Sequence, residues 1–99
     1  MINIKIHPAY RSIVALADTD IIGKTFTEGI KQITITPNFF QDKEVSKQEA
    51  LKILKEMDRE DATFNIVGKE SIQTALEAGV IQEKGIMTID NVPVALGLF

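Results

Sequence analysis

The sequence predicts an α+β domain: a mixed, mainly antiparallel sheet with two helices packed on it. Three observations lead there. Short segments with a two-residue hydrophobic period, such as Ile2, Ile4 and Ile6, read as strands. Two longer segments, starting near Ser46 and Gly68, carry apolar residues at helical spacing with their own start and stop signals. The resulting order, β-β-β-α-β-α-β-β, groups strands at both ends of the chain. The 99 residues make one domain, 1–99.

The first strand is the alternation of Ile2, Ile4 and Ile6 with Asn3, Lys5 and His7, one face buried and one in water, ended by Pro8. Ser12 to Ala17 is apolar on both faces, as befits an interior strand, and the short link from His7 to Tyr10 favours an antiparallel hairpin. Asp18-Thr19-Asp20 reads as a turn or cap followed by at most one helical turn, stopped at Gly23. Residues 30–36 are β-branched and alternating, a third strand closed by Pro37. Phe39 and Phe40 fall in the connection that follows, where at least one ring is expected to plug the core.

Ser46-Lys47-Gln48-Glu49 is a capping box, so a helix starts there, with Ala50, Leu51, Leu54 and Met57 as its buried stripe. The acidic run Glu56 to Asp61 reads as a solvated helix end and loop. Ala62–Val67 is a strand, and Gly68 leads into a second helix with Glu70 near its positive end and Gly79 at its stop. Two strands, 85–89 and 92–98, join through Asp90-Asn91, and Pro93 favours an edge position for the last of them.

Composition excludes several chemistries. With no cysteine, disulfides, thiolate nucleophiles and Cys-based zinc sites are ruled out, and a single histidine, His7, rules out a His pair. The formal net charge of −3 opposes whole-surface attraction to nucleic acid or anionic lipid. That deficit lies in residues 51–99, while residues 1–50 balance six bases with six acids. No stretch has the apolar length of a spanning helix or a signal peptide, so the expectation is a cytoplasmic protein without a membrane partner.

Gly23-Lys24-Thr25 matches only the end of a phosphate-binding loop; the glycine needed five positions earlier is Asp18. A looser anion site remains open, since Lys24 and Lys69 each follow a glycine and Gly68-Lys69 opens a helix whose first amides are available to a phosphate or carboxylate. The plainer alternative makes both glycines turn residues and both lysines solvated tails. Asp18 and Asp20 lack the pattern of a calcium loop and read as turn caps. Tyr10-Arg11, Lys24 with Phe26, and Phe39-Phe40 with Lys43 mix rings with basic residues in the way that base-stacking surfaces do.

The run Asp18 to Gly29, with Phe39-Phe40, Asn65-Ile66-Val67-Gly68 and Val92-Pro93, resembles the archaeal family called domain of unknown function 424, over nearly the whole chain. The family pattern has an acidic turn leading to Gly-Lys-x-Phe-x-Glu-Gly, an aromatic pair, Asn-hydrophobic-Val-Gly before the second helix, and a late Val-Pro. Members often continue that proline into His-Ala-Gln; here Val94-Ala95-Leu96 follows, so any activity resting on that histidine is missing. The resemblance implies an archaeal protein whose role lies beside the translation apparatus.

The functional expectation is therefore a non-catalytic recognition module that contacts RNA or a translation-related protein. Its binding residues are Lys24, Phe26, Glu28, Gly68 and Lys69, with no catalytic residue, metal or cofactor. The alternative is a small enzyme or anion- or metabolite-binding protein that uses Lys24, Glu28 and Lys69 around a surface cleft.

Overall fold

The structure, a computed structural model, describes residues 1–97, so Leu98, expected at the end of the last strand, lies outside them. The elements are β1 (Ile2–His7), β2 (Ile13–Asp18), β3 (Thr25–Glu28), β4 (Lys31–Thr34), α1 (Pro37–Phe40), β5 (Lys43–Val45), α2 (Lys47–Arg59), β6 (Thr63–Val67), α3 (Lys69–Ala78), β7 (Met87–Ile89) and β8 (Val92–Leu96). Six strands form one sheet in the order β5-β1-β2-β6-β8-β7; β3 and β4 form a separate two-stranded ribbon. Among the described residues only the β2–β6 pair is parallel, and the chain between those two strands includes α2, as a parallel pairing requires a crossover. The result is the α+β class with a mainly antiparallel sheet.

The alternation of each strand divides the core. Ile2, Ile4, Val14, Leu16, Phe64 and Ile66 face the helices, where Ala50 and Leu54 of α2 and Ile72 and Ala75 of α3 cover them. Each of the fully buried Leu16, Leu54 and Ile66 contributes about 1.5–3 kcal/mol by leaving water. On the opposite face β2 contributes Ala15 and Ala17 to a second cluster, and these small side chains leave room for Phe40 and Ile35 to lie on Val67, Val94 and Ile89. Phe40 is thus the expected plug, while Phe39 is half-buried and meets it edge-on at 5.0 Å.

Several boundaries differ from the sequence reading, each for a physical reason. The opposite face of β1 is not simply in water: Asn3 is buried, donating to Thr19 Oγ1 at 3.1 Å and accepting from the Asp42 amide at 3.1 Å. The third-strand run shrinks to β4, which pairs with β3 alone, and the chain from Pro37 to Phe40 is one helical turn with Pro37 in its first turn. At α2 the Ser46 hydroxyl accepts from the Glu49 amide at 3.2 Å, but the Glu49 carboxylate pairs with Lys43 at 3.1 Å. Half of the capping box is therefore realised.

Pro93 does not sit on an edge, because β8 lies between β6 and β7. Its register partner on one side is Thr88; on the other side β6 has already ended at Val67, so no ladder bond needs the missing amide there. The Pro93 carbonyl is still used, accepting from the Gly68 amide at 3.0 Å.

Candidate functional site

The β3–β4 ribbon contains two of the five expected binding residues, Phe26 and Glu28, and a third, Lys24, immediately precedes it. Its base is fixed by backbone bonds from the Gly23 amide to the Ile35 carbonyl at 2.6 Å and from the Ile35 amide to the Lys24 carbonyl at 2.9 Å. Gly23 reaches this geometry at φ 92°, which an L side chain rarely adopts. At the tip, Glu28 faces Lys31, so Gly29-Ile30 is a two-residue loop; positive φ at Gly29 alone matches the II′ hairpin turn that suits strand twist.

Strand alternation gives the ribbon two different faces. Phe26 opposes Ile33 on the inner face, both half-buried against the Phe40 side of the core. Glu28 and Lys31 share that face and hold the ribbon to the β7–β8 hairpin. Glu28 Oε1 accepts from the Asp90 amide at 2.8 Å, and Lys31 Nζ donates to the Thr88 carbonyl at 3.4 Å. Asp90 and Asn91 both have positive φ, as a tight turn of this kind requires. The outer face is Thr25, Thr27, Gln32 and Thr34, all exposed, with the Thr25 and Thr34 hydroxyls 2.9 Å apart. Ile30 stands fully exposed at the tip, and Lys24 is exposed at the base.

The other two residues, Gly68 and Lys69, begin α3. The Asp18 carboxylate occupies this helix start: Oδ1 accepts from the Ser71 amide at 2.8 Å and the Ser71 hydroxyl at 2.7 Å, and Oδ2 accepts from the Glu70 amide at 3.2 Å. A carboxylate at a helix N-terminus is favoured by the peptide dipoles, so the chain itself supplies the anion that suits this position. Gly68 makes the approach possible at φ 110°, ψ 153°. Lys69 extends beside a shallow cleft of about 150 Å³ whose walls include Asp18, Asp20, Asn91 and Pro93, and Lys24 is not among them. The cleft thus carries two carboxylates beside its one lysine.

The remaining basic and aromatic mixtures are mostly engaged within the fold. Phe39 stacks on His7 with centroids 4.6 Å apart, and its carbonyl lies 2.8 Å from His7 Nε2. Lys43 pairs with Glu49, and Arg11 holds Asp61 through its carboxylate at 3.1 Å and its carbonyl at 3.0 Å. Tyr10 is fully exposed. Among the described residues, no group of three or more His, Cys, Asp or Glu side chains is placed to hold a metal ion, and no helix is long and apolar enough to cross a membrane.

Sequence reasoning places Ile30 inside a strand and so misses it as a surface feature. The signal is present: a Gly-Ile pair between Glu28 and Lys31 is a hairpin loop, and a loop tip exposes its second residue.

Comparison with known proteins agrees with this architecture. No curated protein matches the chain. The crystal structure of an uncharacterized conserved protein from Methanopyrus kandleri is similar over 99% of this chain and 94% of its own, with a TM-score of 0.82 and 21% identity, a likeness of fold. The model of a family described as protein of unknown function (DUF424) matches residues 7–97. With the acidic turn, the Gly-Lys-x-Phe-x-Glu-Gly ribbon, the Asn-Ile-Val-Gly strand end and the Val-Pro of β8 all in place, this chain belongs to the DUF424 family.

Proposed function

We propose that this protein is a non-catalytic recognition module whose β3–β4 ribbon contacts a partner protein. The observation that carries the reading is the ribbon itself. It stands outside the six-stranded sheet, is fastened by its inner face, and offers water an outer row of threonines with a bare isoleucine at the tip. An isolated apolar side chain on a rigid two-residue turn is a ready anchor, because burying it against a partner costs little conformational order and removes a large apolar area from water.

Within this reading the expected binding residues take different parts. Lys24 contributes charge at the base of the ribbon, Phe26 and Glu28 hold the ribbon in its pose, and Gly68 and Lys69 support the cleft at the start of α3. A protein partner is favoured over RNA because the outer face is neutral and the whole chain is acidic. The family resemblance points to a partner in the translation apparatus of an archaeal cytoplasm.

Tagged protein immobilised in native lysate at low salt, with and without ribonuclease, tests the proposal. Translation proteins retained after ribonuclease treatment and lost with Ile30→Asp support it. Retention that disappears with ribonuclease means the partner is RNA. Retention of neither, or retention unaffected by Ile30→Asp, defeats the reading.

A further inference from the structure

A second surface lies on the far edge of the sheet, where β5 is too short to cover β1. The β1–β5 register ends at Ile4 opposite Lys43, so Lys5, Ile6 and His7 extend beyond the edge strand. The Met1 carbonyl accepts from the Thr19 amide, which fixes the odd residues of β1 as those whose backbone groups point to β2. The even residues point the other way. The N–H and C=O of Ile6 therefore face outward in line with β5, one bonding step past its start.

Beside this backbone dyad runs a groove of about 310 Å³ between β1 and α2, with Ile4, Ile6, Ile53 and Met57 as its apolar lining and Asp42 and Glu56 on its rim. Ile6 is 41% exposed although its side chain is on the face that elsewhere forms the core. The third charged lining residue, Lys43, is paired with Glu49, whereas Asp42 and Glu56 have no ion-pair partner among the described residues. The groove thus combines an apolar floor, a negative rim and an unpaired strand edge.

We propose that this edge binds an extended peptide segment of a partner protein by strand addition, the segment carrying an aliphatic residue with a lysine or arginine two positions before it. The spacing follows from the ladder. A residue directly opposite Ile6 shares its face, so its side chain enters the groove; the next same-face position toward β5 is already filled by Lys43, so an antiparallel segment ends at that residue, and the residue two positions before it returns to the same face with its charge toward the acidic rim. Main-chain bonds to Ile6 give the attachment, and the pocket and rim give the selectivity.

The probe is acetyl-Lys-Thr-Ile-amide, titrated into the full-length, nitrogen-15-labelled chain and followed by amide resonances and hydrogen exchange. In the free chain the Ile6 amide exchanges fast while those of Lys5 and His7 are protected. Millimolar probe shifts Ile6, Ile53, Glu56 and Met57 and slows exchange at Ile6. Methylating the isoleucine nitrogen of the peptide removes the donor to the Ile6 carbonyl, and Glu56→Lys reverses an exposed rim charge without touching the core; each weakens binding about three- to tenfold, as expected for loss of one hydrogen bond or a local charge pair. The peptide with glutamate in place of the lysine binds more weakly still. Absence of shifts at Ile6, equal binding of the acidic or the methylated peptide, or an Ile6 amide already protected in the free chain would overturn the proposal. So would Ile6 protection that grows with protein concentration in the absence of peptide, since a second copy of the chain would then be the occupant.

Discussion

Replacing Gly68 with alanine tests how the two halves of the molecule are joined. A Cβ at position 68 would lie 2.6 and 2.7 Å from the two oxygens of Asp18, far inside contact distance. The backbone there, φ 110° and ψ 153°, is a region essentially reserved for glycine, and holding alanine in it costs about 2 kcal/mol. The carboxylate must also leave. Losing the cap on α3 costs about 2 kcal/mol, the upper part of the range for N-cap removal, because the buried Ser71 hydroxyl loses its partner as well. Gly68→Ala should therefore destabilise by about 4 kcal/mol and Asp18→Ala by about 2. The double variant should lose about 4, not the sum of about 6, because with Asp18 shortened no cap remains for the added methyl group to displace. Urea unfolding followed by circular dichroism of all four proteins gives the cycle, with a coupling of about 2 kcal/mol as the expected result. Strict additivity, or a Gly68→Ala protein within about 0.5 kcal/mol of the parent, would refute the idea that the glycine exists to admit the carboxylate.

Three further outcomes follow from the packing. Leu54→Ala, at a fully buried site between α2 and the sheet, should lower stability by about 2–5 kcal/mol in the same unfolding assay. Asn3→Ala leaves the Thr19 hydroxyl and the Asp42 amide without their partner and should cost about 2–3 kcal/mol, visible as an earlier melt by calorimetry. Ile30→Asp should change stability by no more than about 0.5 kcal/mol, since the side chain is fully exposed, so any loss of partner binding reports the contact and not the fold.

The parts of the fold that are legible in the sequence are those whose signal is local. Alternating Ile2, Ile4 and Ile6, the apolar run of β2, Ser46 with Glu49, Gly79 in its left-handed conformation at 78° and the Asp90-Asn91 turn each announce themselves within a few residues. What is not legible depends on distant neighbours. β3 has a single apolar residue, Phe26, and β5 a single buried one, Val45, so neither shows a period until its partner strand is known. Pro93 argues for an edge by composition, yet its missing amide falls just past the end of β6. At the candidate site, Asp18-Thr19-Asp20 reads in sequence as a cap for the turn it begins. Local chemistry assigns the right function to Asp18 but the wrong helix, because the amides it meets are those of residues 70 and 71.

That displacement changes what the family motifs mean. The acidic turn, the Asn-Ile-Val-Gly strand end and the Val-Pro of β8 are far apart in sequence, but they meet at one junction: Asp18 caps α3, Gly68 admits Asp18, and the Gly68 amide binds the Pro93 carbonyl. The Glu28 that ends the Gly-Lys-x-Phe-x-Glu segment reaches the turn at Asp90, and Phe26 lies against the core. Each of these residues thus has a structural task that accounts for its chemistry without a ligand. A phosphate at the start of α3 would have to displace a carboxylate already holding two amides and a hydroxyl, in a cleft with a second acid, Asp20. Recognition is therefore better sought in side chains that the junction leaves unused: Ile30 on the ribbon tip, Lys24 at its base, and the uncovered edge at Ile6. Substituting these should alter binding while the fold stands, and substituting the junction should do the reverse.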